Sequence, residues 1–337
     1  MKIAIISVSD KGHELANRLK EKLDMDSTII KCDLYHKNVK EHFPILFYEY
    51  DAIIAIMASG ILIRSIAPLV ESKVTDPAVI NIDDNGKFVI STLSGHLGGA
   101  NELANKVADL IDSTPVITTS TDVNKKLGID VLAKDLYLRI DNTKEILFFN
   151  KAILEGREIT FTLNPNRNFD YLFDYLRKVT LEIYVLFSYS SDVDTDEIHV
   201  SLDGHEMVLK ERKIVAGIGC RRGKECKFIH DGLKKSLDDL KILPSRVNML
   251  TSAEIKKDEK GILELSEKMN IPVRFVEIDK LKLFESCDVA KSEFVYSKFG
   301  IYGVCEPSAL IMAGFDSKLI YKKTSYDGVT IAIAVSK

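Results

Sequence analysis

Along most of the chain, short wholly apolar runs alternate with stretches whose apolar residues recur every third or fourth position. Ile3–Val8 predicts a buried strand, and Leu15, Leu19 and Leu23 then mark one face of a helix. Ala52–Met57 predicts a second buried strand, followed by Ser59-Gly60 and a helix over Ile61–Val70. Val79–Ile82 and Phe88–Ile90 flank Asp83-Asp84-Asn85-Gly86, a hairpin turn signature. Ala100, Leu103, Ala104, Val107 and Ile111 fall on one helical face, and Pro115–Thr118 returns to a strand. Strands alternating with helices imply an α/β layer around a largely parallel sheet, with one antiparallel excursion.

From about Lys134 to Arg212 the pattern loosens. Asn164-Pro165-Asn166 precedes an aromatic stretch over Phe169–Tyr175, and Val200–Leu202, Asp203-Gly204 and Met207–Leu209 read as a small hairpin. Regularity resumes with a strand at Ile214–Ile218, a turn at Gly219–Gly223, and a helical stripe of Ile229, Leu233, Leu237 and Leu240. A helix over Glu259–Met269 and a strand over Val273–Val276 follow. Glu306-Pro307 starts a further helix that Gly314 stops, and Leu319–Tyr321 and Val329–Val335 are strands joined around Asp327-Gly328. The expectation is a multi-domain α/β chain of mostly parallel sheets flanked by helices. An amino-terminal α/β domain spans 1–133, a small irregular α/β domain spans 134–212, and a carboxy-terminal α/β domain spans 213–337.

Length supports that division, because 337 residues exceed one ordinary domain. A formal net charge of −4 argues against a general nucleic-acid or polybasic membrane binder. The longest apolar run, Ala52–Ala58, falls far short of the ~20 residues that span a bilayer. The start, MKIAIISVSDKG, lacks a signal-peptide pattern. Cys32, Cys220, Cys226, Cys287 and Cys305 form an odd, scattered set rather than a disulfide framework, so a cytoplasmic protein with reduced thiols is expected. Cys220, Cys226 and His230 match no zinc spacing, and no metal site is expected.

The most informative segment is Ser91-Thr92-Leu93-Ser94-Gly95-His96-Leu97-Gly98-Gly99-Ala100-Asn101, between a strand and a helix. Its glycines allow close backbone approach to a ligand, the helix start would offer free N–H groups, and His96 sits inside the loop. A tight turn with an incidental histidine is the alternative. Neither the P-loop, the dinucleotide fingerprint nor the G-x-S-x-G elbow is present, so a nucleotide site and an acyl-enzyme serine are not expected. Ser59, Gly60 and Arg64 follow another strand, and Thr118-Thr119-Ser120-Thr121-Asp122 follows a third. Ligands bind beyond the carboxyl ends of parallel strands, so these three loops are expected to converge; a solvated Arg64 and a simple helix cap at Asp122 are the plain alternatives. A second cluster, Gly217-Ile218-Gly219-Cys220-Arg221-Arg222-Gly223-Lys224, lies within Lys210–Arg246, which carries eleven Lys/Arg against five Asp/Glu. Paired arginines there suit carboxylates or phosphates.

Four blocks, Ser-Gly-His-Leu-Gly-Gly-Ala-Asn at 94–101, Thr-Thr-Ser-Thr-Asp at 118–122, Gly-Ile-Gly-Cys-Arg-Arg-Gly at 217–223 and Glu-Pro-Ser-Ala-Leu at 306–310, together resemble the cobalamin biosynthesis CbiG family of cobalt-precorrin-5A hydrolases. The resemblance covers nearly the whole chain, though the middle has no distinctive motif. It implies opening of the ring A δ-lactone of cobalt-precorrin-5A and release of acetaldehyde to give cobalt-precorrin-5B. The protein would need no cofactor, since the cobalt belongs to the substrate. Other expected partners are neighbouring corrin-pathway enzymes and a second copy in a homodimer.

On that reading His96, near its ordinary pKa of ~6.5, is the general base. Gly98 and Gly99 N–H groups would hold the oxyanion, and Asp122 would orient His96, with Glu306 a further catalytic candidate. Ser59, Gly60, Arg64, Ser94, Gly95, Asn101, Thr119, Arg221 and Arg222 would contact substrate. A non-catalytic carrier of a carboxylate-rich tetrapyrrole, or a sugar- or phosphate-binding α/β protein, would use the same clusters without turnover.

Overall fold

The structure, a computed structural model, describes residues 1–286 and 289–337. It holds three sheets, one in each third of the chain. Its contacts gather into two compact units: Met1–Asp26 with Lys31–Glu211, and Ser27–Ile30 with Arg212–Lys337.

The first sheet contains β1 (Lys2–Ser7), β2 (Lys31–His36), β3 (Ala52–Ile56), β4 (Ala78–Ile82), β5 (Phe88–Leu93) and β6 (Thr114–Val116), in the order β2-β1-β3-β4-β5-β6. Ile3–Ile6 and all of β3 and β4 are buried on both faces, which is why they read as continuous apolar runs. Ser9 caps the helix Asp10–Asp24 by accepting the Gly12 N–H at 2.9 Å, and Leu15, Leu19 and Leu23 face the core as their spacing predicts.

β2, β1, β3 and β4 run parallel, but β5 is antiparallel to β4. The reversal is encoded in the turn. Asp83 Oδ1 accepts the Asn85 N–H, Oδ2 accepts the N–H groups of Lys87 and Phe88, and Gly86 supplies a φ of +67°. Ile82 therefore pairs with Val89, and Val79 with Leu93. The carboxyl end of β5 lies beside the start of β4, not its end. β6 runs parallel to β5.

The middle third is more regular than its pattern suggests. β7 (Leu138–Ile140), β8 (Ile159–Leu163), β9 (Val185–Tyr189), β10 (Glu197–Leu202) and β11 (His205–Glu211) form the sheet β7-β11-β10-β8-β9, with helices Ile146–Leu154 and Asp170–Lys178. Asp203 and Gly204, at φ +50° and +82°, join β10 to β11 with the positive-φ pair that a two-residue hairpin favours.

The second unit is built on β12 (Ile214–Cys220), β13 (Met249–Ala253), β14 (Val273–Val276), β15 (Lys318–Tyr326) and β16 (Val329–Val335), in the order β14-β13-β12-β16-β15. β12, β13 and β14 are parallel, and the terminal hairpin pairs antiparallel with β12. Helix Cys305–Ala313 packs on β12 so closely that a Cβ on Gly217 would lie 2.0 Å from the Cys305 carbonyl oxygen. Among the described residues, no helix is long and apolar enough to cross a membrane.

Candidate functional site

The 94–99 loop closes on itself before it presents anything to a ligand. Ser94 has a φ of +55° and Gly99 one of +88°. Gly99 N–H donates to the His96 carbonyl at 3.0 Å, Ala100 N–H to Ser94 O at 3.1 Å and Asn101 N–H to Gly95 O at 3.0 Å. The first two donors of helix Ala100–Ile111 are thus met by the loop's own carbonyls. The N–H groups of Ala100 and Asn101 are therefore not open to a ligand, and the Gly99 N–H is not available as an oxyanion donor. What the loop does present is His96.

His96 is held from both sides. Its Nε2 lies 2.7 Å from Asp122 Oδ2, with Thr121 Oγ1 3.2 Å from the same nitrogen, and its Nδ1 lies 3.1 Å from Asp130 Oδ2. A second layer fixes both carboxylates. Asn101 donates from Nδ2 to Asp122 Oδ2 at 3.1 Å and to Thr119 Oγ1 at 3.0 Å, while its Oδ1 accepts from Ser91 at 2.6 Å. Asn150 donates to Asp130 Oδ1 at 2.9 Å and accepts the Ile129 N–H at 2.8 Å. Gly95 and Gly128 make room for this layer: a Cβ on Gly95 would sit 2.7 Å from Asn101 Oδ1, and one on Gly128 2.8 Å from Asp130 Oδ1.

Burial by itself would push the His96 pKa down. The hydrogen bonds to Asp122 and Asp130, reinforced by their charges, outweigh it and hold the imidazole up at about 9. Burial likewise opposes the charged form of Asp130, and its bond to His96 keeps the carboxyl below its usual range. The neutral imidazole that sequence alone assigns to His96 is therefore not the form this environment favours; at neutral pH it is an imidazolium between two carboxylates. The Asp130 side chain is 5% exposed and that of Asp122 31%, so Asp122 is the partner that solvent reaches.

His96 and Asp130 open on a cleft of about 510 Å³, whereas Asp122 and Asn101 are not among the residues that line it. Ser94, Gly95, His96, Thr119, Thr121 and Asp130 line it, together with Lys73 and with Leu147, Asn150, Lys151 and Leu154. Ser94 Oγ is buried and has no hydrogen-bond partner among the described residues.

Ser94, Gly95, His96, Asn101, Thr119 and Asp122 come together as their spacing suggests. Ser59, Gly60 and Arg64 do not join them. They follow β3, whose carboxyl end aligns with that of β4, whereas the 94–99 loop follows the reversed β5. The expected convergence fails because the hairpin places the two loops at opposite ends of the sheet. Ser59 Oγ bonds Asn81 Oδ1, and the exposed Arg64 guanidinium folds back over Gly60. Gly98 is a packing position, where a Cβ would meet Ser94 Cβ at 2.5 Å.

In the second unit, Glu306 is 2% exposed, and its carboxylate accepts the N–H groups of Ala290 and Lys323, both at 2.8 Å. Burial nevertheless pushes its pKa up. Both oxygens are committed to backbone, so the arrangement is that of a structural brace, not of the catalytic carboxyl expected from sequence. Arg222 pairs with Asp258 at 2.7 Å, Gly223 N–H donates to Glu259 at 2.7 Å, and Arg221 N–H donates to Gly328 O. A cleft of about 550 Å³ beside Arg222 carries Glu225, Asp258, Glu259 and Glu264 as well as lysines, so its charge is mixed. Cys32, Cys220, Cys226 and Cys305 are in no disulfide among the described residues, with the Cys305 thiol pushed up to about 11 by burial; Cys287 lies outside the described residues.

Asp130, Asn150, Lys73, Leu147, Lys151 and Leu154 are the site residues that sequence reading passed over. Gly128-Ile129-Asp130 carried a signal, a glycine and an early acidic residue opening the helix Ile129–Asp135. The others carried none.

Two family descriptions match the chain, Cobalamin synthesis G N-terminal over residues 41–122 and Cobalamin synthesis G C-terminus over residues 214–334. A protein of Methanocaldococcus jannaschii described as a probable cobalt-precorrin-5A hydrolase is 35% identical, with 99% of each chain covered. The cobalt-precorrin-5A hydrolase of Priestia megaterium is 30% identical over 98% of this chain and 94% of its own. The crystal structure of a cobalamin biosynthesis protein G homolog from Sulfolobus solfataricus superimposes with a TM-score of 0.62 at 27% identity, covering 100% of this chain and 97% of that one.

Proposed function

Since the chain belongs to the CbiG family of cobalamin-synthesis proteins, we propose that it is a cobalt-precorrin-5A hydrolase. Its reaction opens the ring A δ-lactone and releases acetaldehyde. The observation that carries this reading is His96 between Asp122 and Asp130 in a cleft rimmed by lysines and leucines.

Lactone hydrolysis adds water across the acyl C–O bond, so it needs a proton acceptor for the water and a donor for the departing alkoxide. Asp122 suits the first role, because it is the more exposed carboxylate and Asn101 holds it in place. His96 suits the second. As an imidazolium it offers positive charge and a proton at Nε2, while Asp130 fixes the ring from Nδ1 in the manner of an orienting carboxylate. Opening frees a hydroxyl on the two-carbon unit. Loss of that hydroxyl proton turns the O–H carbon into an aldehyde as the carbon–carbon bond breaks, and the bonding pair stays on the macrocycle carbon, which takes up a proton. Both steps are redox-neutral and ask only proton transfers of the protein, so the scheme calls for no resident metal or redox cofactor; the cobalt enters with the substrate. The three-domain division, a cytoplasmic setting and contact with a second copy or with neighbouring corrin-pathway enzymes belong to the same reading.

The test is incubation of the purified protein with cobalt-precorrin-5A, following acetaldehyde through NADH loss with alcohol dehydrogenase. Acetaldehyde formed in step with substrate loss is the expected result. Folded protein that binds the substrate and yields no acetaldehyde would instead be a carrier. Metal analysis of active protein should find no stoichiometric zinc, iron or cobalt; activity lost on removing a bound metal would contradict the cofactor-free scheme.

A further inference from the structure

One wall of the His96 cleft comes from a segment that neither family description matches. Residues 123–213 lie between the two matched ranges, and the helix Ile146–Leu154 falls inside them. Its buried face, Ile146, Phe149, Ala152 and Ile153, packs inward. Its opposite face presents Leu147, Asn150, Lys151 and Leu154, spaced i, i+3, i+4 and i+7, to the cleft. Asn150 is committed to Asp130 and the Ile129 N–H, which leaves the leucines and Lys151 to face a ligand.

Leu147 is out of place by ordinary patterning: it is 76% exposed on the solvent side of an amphipathic helix. The Lys151 side chain is 74% exposed and only loosely paired, 3.9 Å from Glu155. The turn carrying Lys73, which also lines the cleft, is pinned by Asp76, whose carboxylate accepts the N–H groups of Glu71 and Ser72 at 3.1–3.2 Å. A greasy helix face lining the same cleft as His96, with two ammonium groups in that lining, calls for a ligand with a flat apolar body and carboxylates on its rim.

We infer that the helix Ile146–Leu154 is the substrate-selecting wall of the site, Leu147 and Leu154 lying against the macrocycle and Lys151 and Lys73 holding its peripheral carboxylates. Only the identity of the macrocycle rests on the hydrolase reading. The chemistry of the wall stands on the residues themselves.

The test uses the full-length protein and two stable probes, cobyrinic acid, a carboxylate-bearing cobalt corrin, and its methyl ester. Binding is followed by the corrin absorption bands. Lys151→Glu and Lys73→Glu should each weaken binding of the acid by about 10-fold or more, the scale of a charge-assisted contact, and leave the ester nearly unaffected. Leu147→Asp should weaken both probes. Lys178→Glu, an equal charge change on an exposed residue outside the cleft, serves as the control. All four positions are exposed, so folding should survive.

Failure of the parent to bind the acid, or equal binding by the parent and both lysine variants, would overturn the inference. The two readings also fail separately. The predicted variant pattern without turnover of cobalt-precorrin-5A would sink the hydrolase proposal and keep the wall. Turnover with an unaltered KM in all three cleft variants would do the reverse.

Discussion

The segments 94–99 and 217–223 both lead from a strand toward a helix through closely spaced glycines, although Gly217 and Gly219 still belong to β12, and both carry side chains suited to an anionic ligand. In the first, the glycines accommodate Asn101 and Ser94, and the loop delivers His96 to two carboxylates at a cleft. In the second, Gly217 seats the Cys305 backbone, Gly219 would meet Thr330 Oγ1 at 2.4 Å, and Arg222 is answered by Asp258. Glycine spacing thus reports close approach but not what approaches: polar side chains of a site in one loop, a packed helix in the other. The difference lies in what the glycines make room for: at 94–99 a titratable side chain held by two carboxylates, at Gly217 the backbone of a packed helix.

The largest effect should come from His96→Asn. With the imidazolium gone, kcat should fall by about 10²- to 10⁴-fold while substrate still binds, measured by acetaldehyde release and substrate titration. Asp130→Asn should come next. It leaves Asn150 facing an amide and removes the carboxylate that orients Nδ1, so kcat should fall by about 10- to 100-fold, the scale of losing an outer-shell partner. The His96 titration should move down toward its ordinary range. A fall in kcat with no change in the pH profile would show that Asp130 acts only on stability.

Glu306→Ala sharpens the comparison from the other side. It strands two buried N–H donors, each at a cost of about 1–3 kcal/mol. Calorimetry should therefore show a lower Tm, with kcat below the melting range nearly that of the parent. A large loss of kcat in folded Glu306→Ala would restore it as a catalytic group. The smallest effect is expected for Arg222→Ala, since Arg222 and Asp258 are solvent-exposed: KM within about threefold of the parent. A tenfold rise in KM would make the second loop a substrate site as well.

Much of this architecture was legible along the chain. The buried runs at β1, β3 and β4 and the stripe of Leu15, Leu19 and Leu23 are dictated by burial alone, and their boundaries shift by only a residue or two. Asp83–Gly86 even announced the hairpin. Its consequence was harder to read, because strand direction after a hairpin decides which loops share an end of the sheet, and that separated Arg64 from His96. Helix Val39–Glu49 went unrecognised because Pro44 lies inside it. The proton state of His96 was not legible either. It depends on Asp130, 34 residues away in sequence, and on burial that no local pattern records. Nothing in the local pattern marks Leu147 as facing a cleft.

The raised His96 pKa also fixes a sign for stability. A protonated group held at about 9 in the fold, against 6.5 in its absence, stabilises the folded state fully below pH 6.5, and that contribution is lost as pH rises through about 9. Asp130→Asn should flatten this dependence in denaturant melts between those limits.

The central claim, that His96 works as a cation between Asp122 and Asp130, is tested most directly by the pH dependence of kcat/KM for cobalt-precorrin-5A, which reports groups of the free enzyme. An imidazolium acid predicts activity sustained from pH 6.5 through 8 and falling as pH rises through about 9. Activity that instead falls as pH drops through 6.5, with no loss near 9, would mean that His96 acts as a neutral base and that its two carboxylates do not hold the proton.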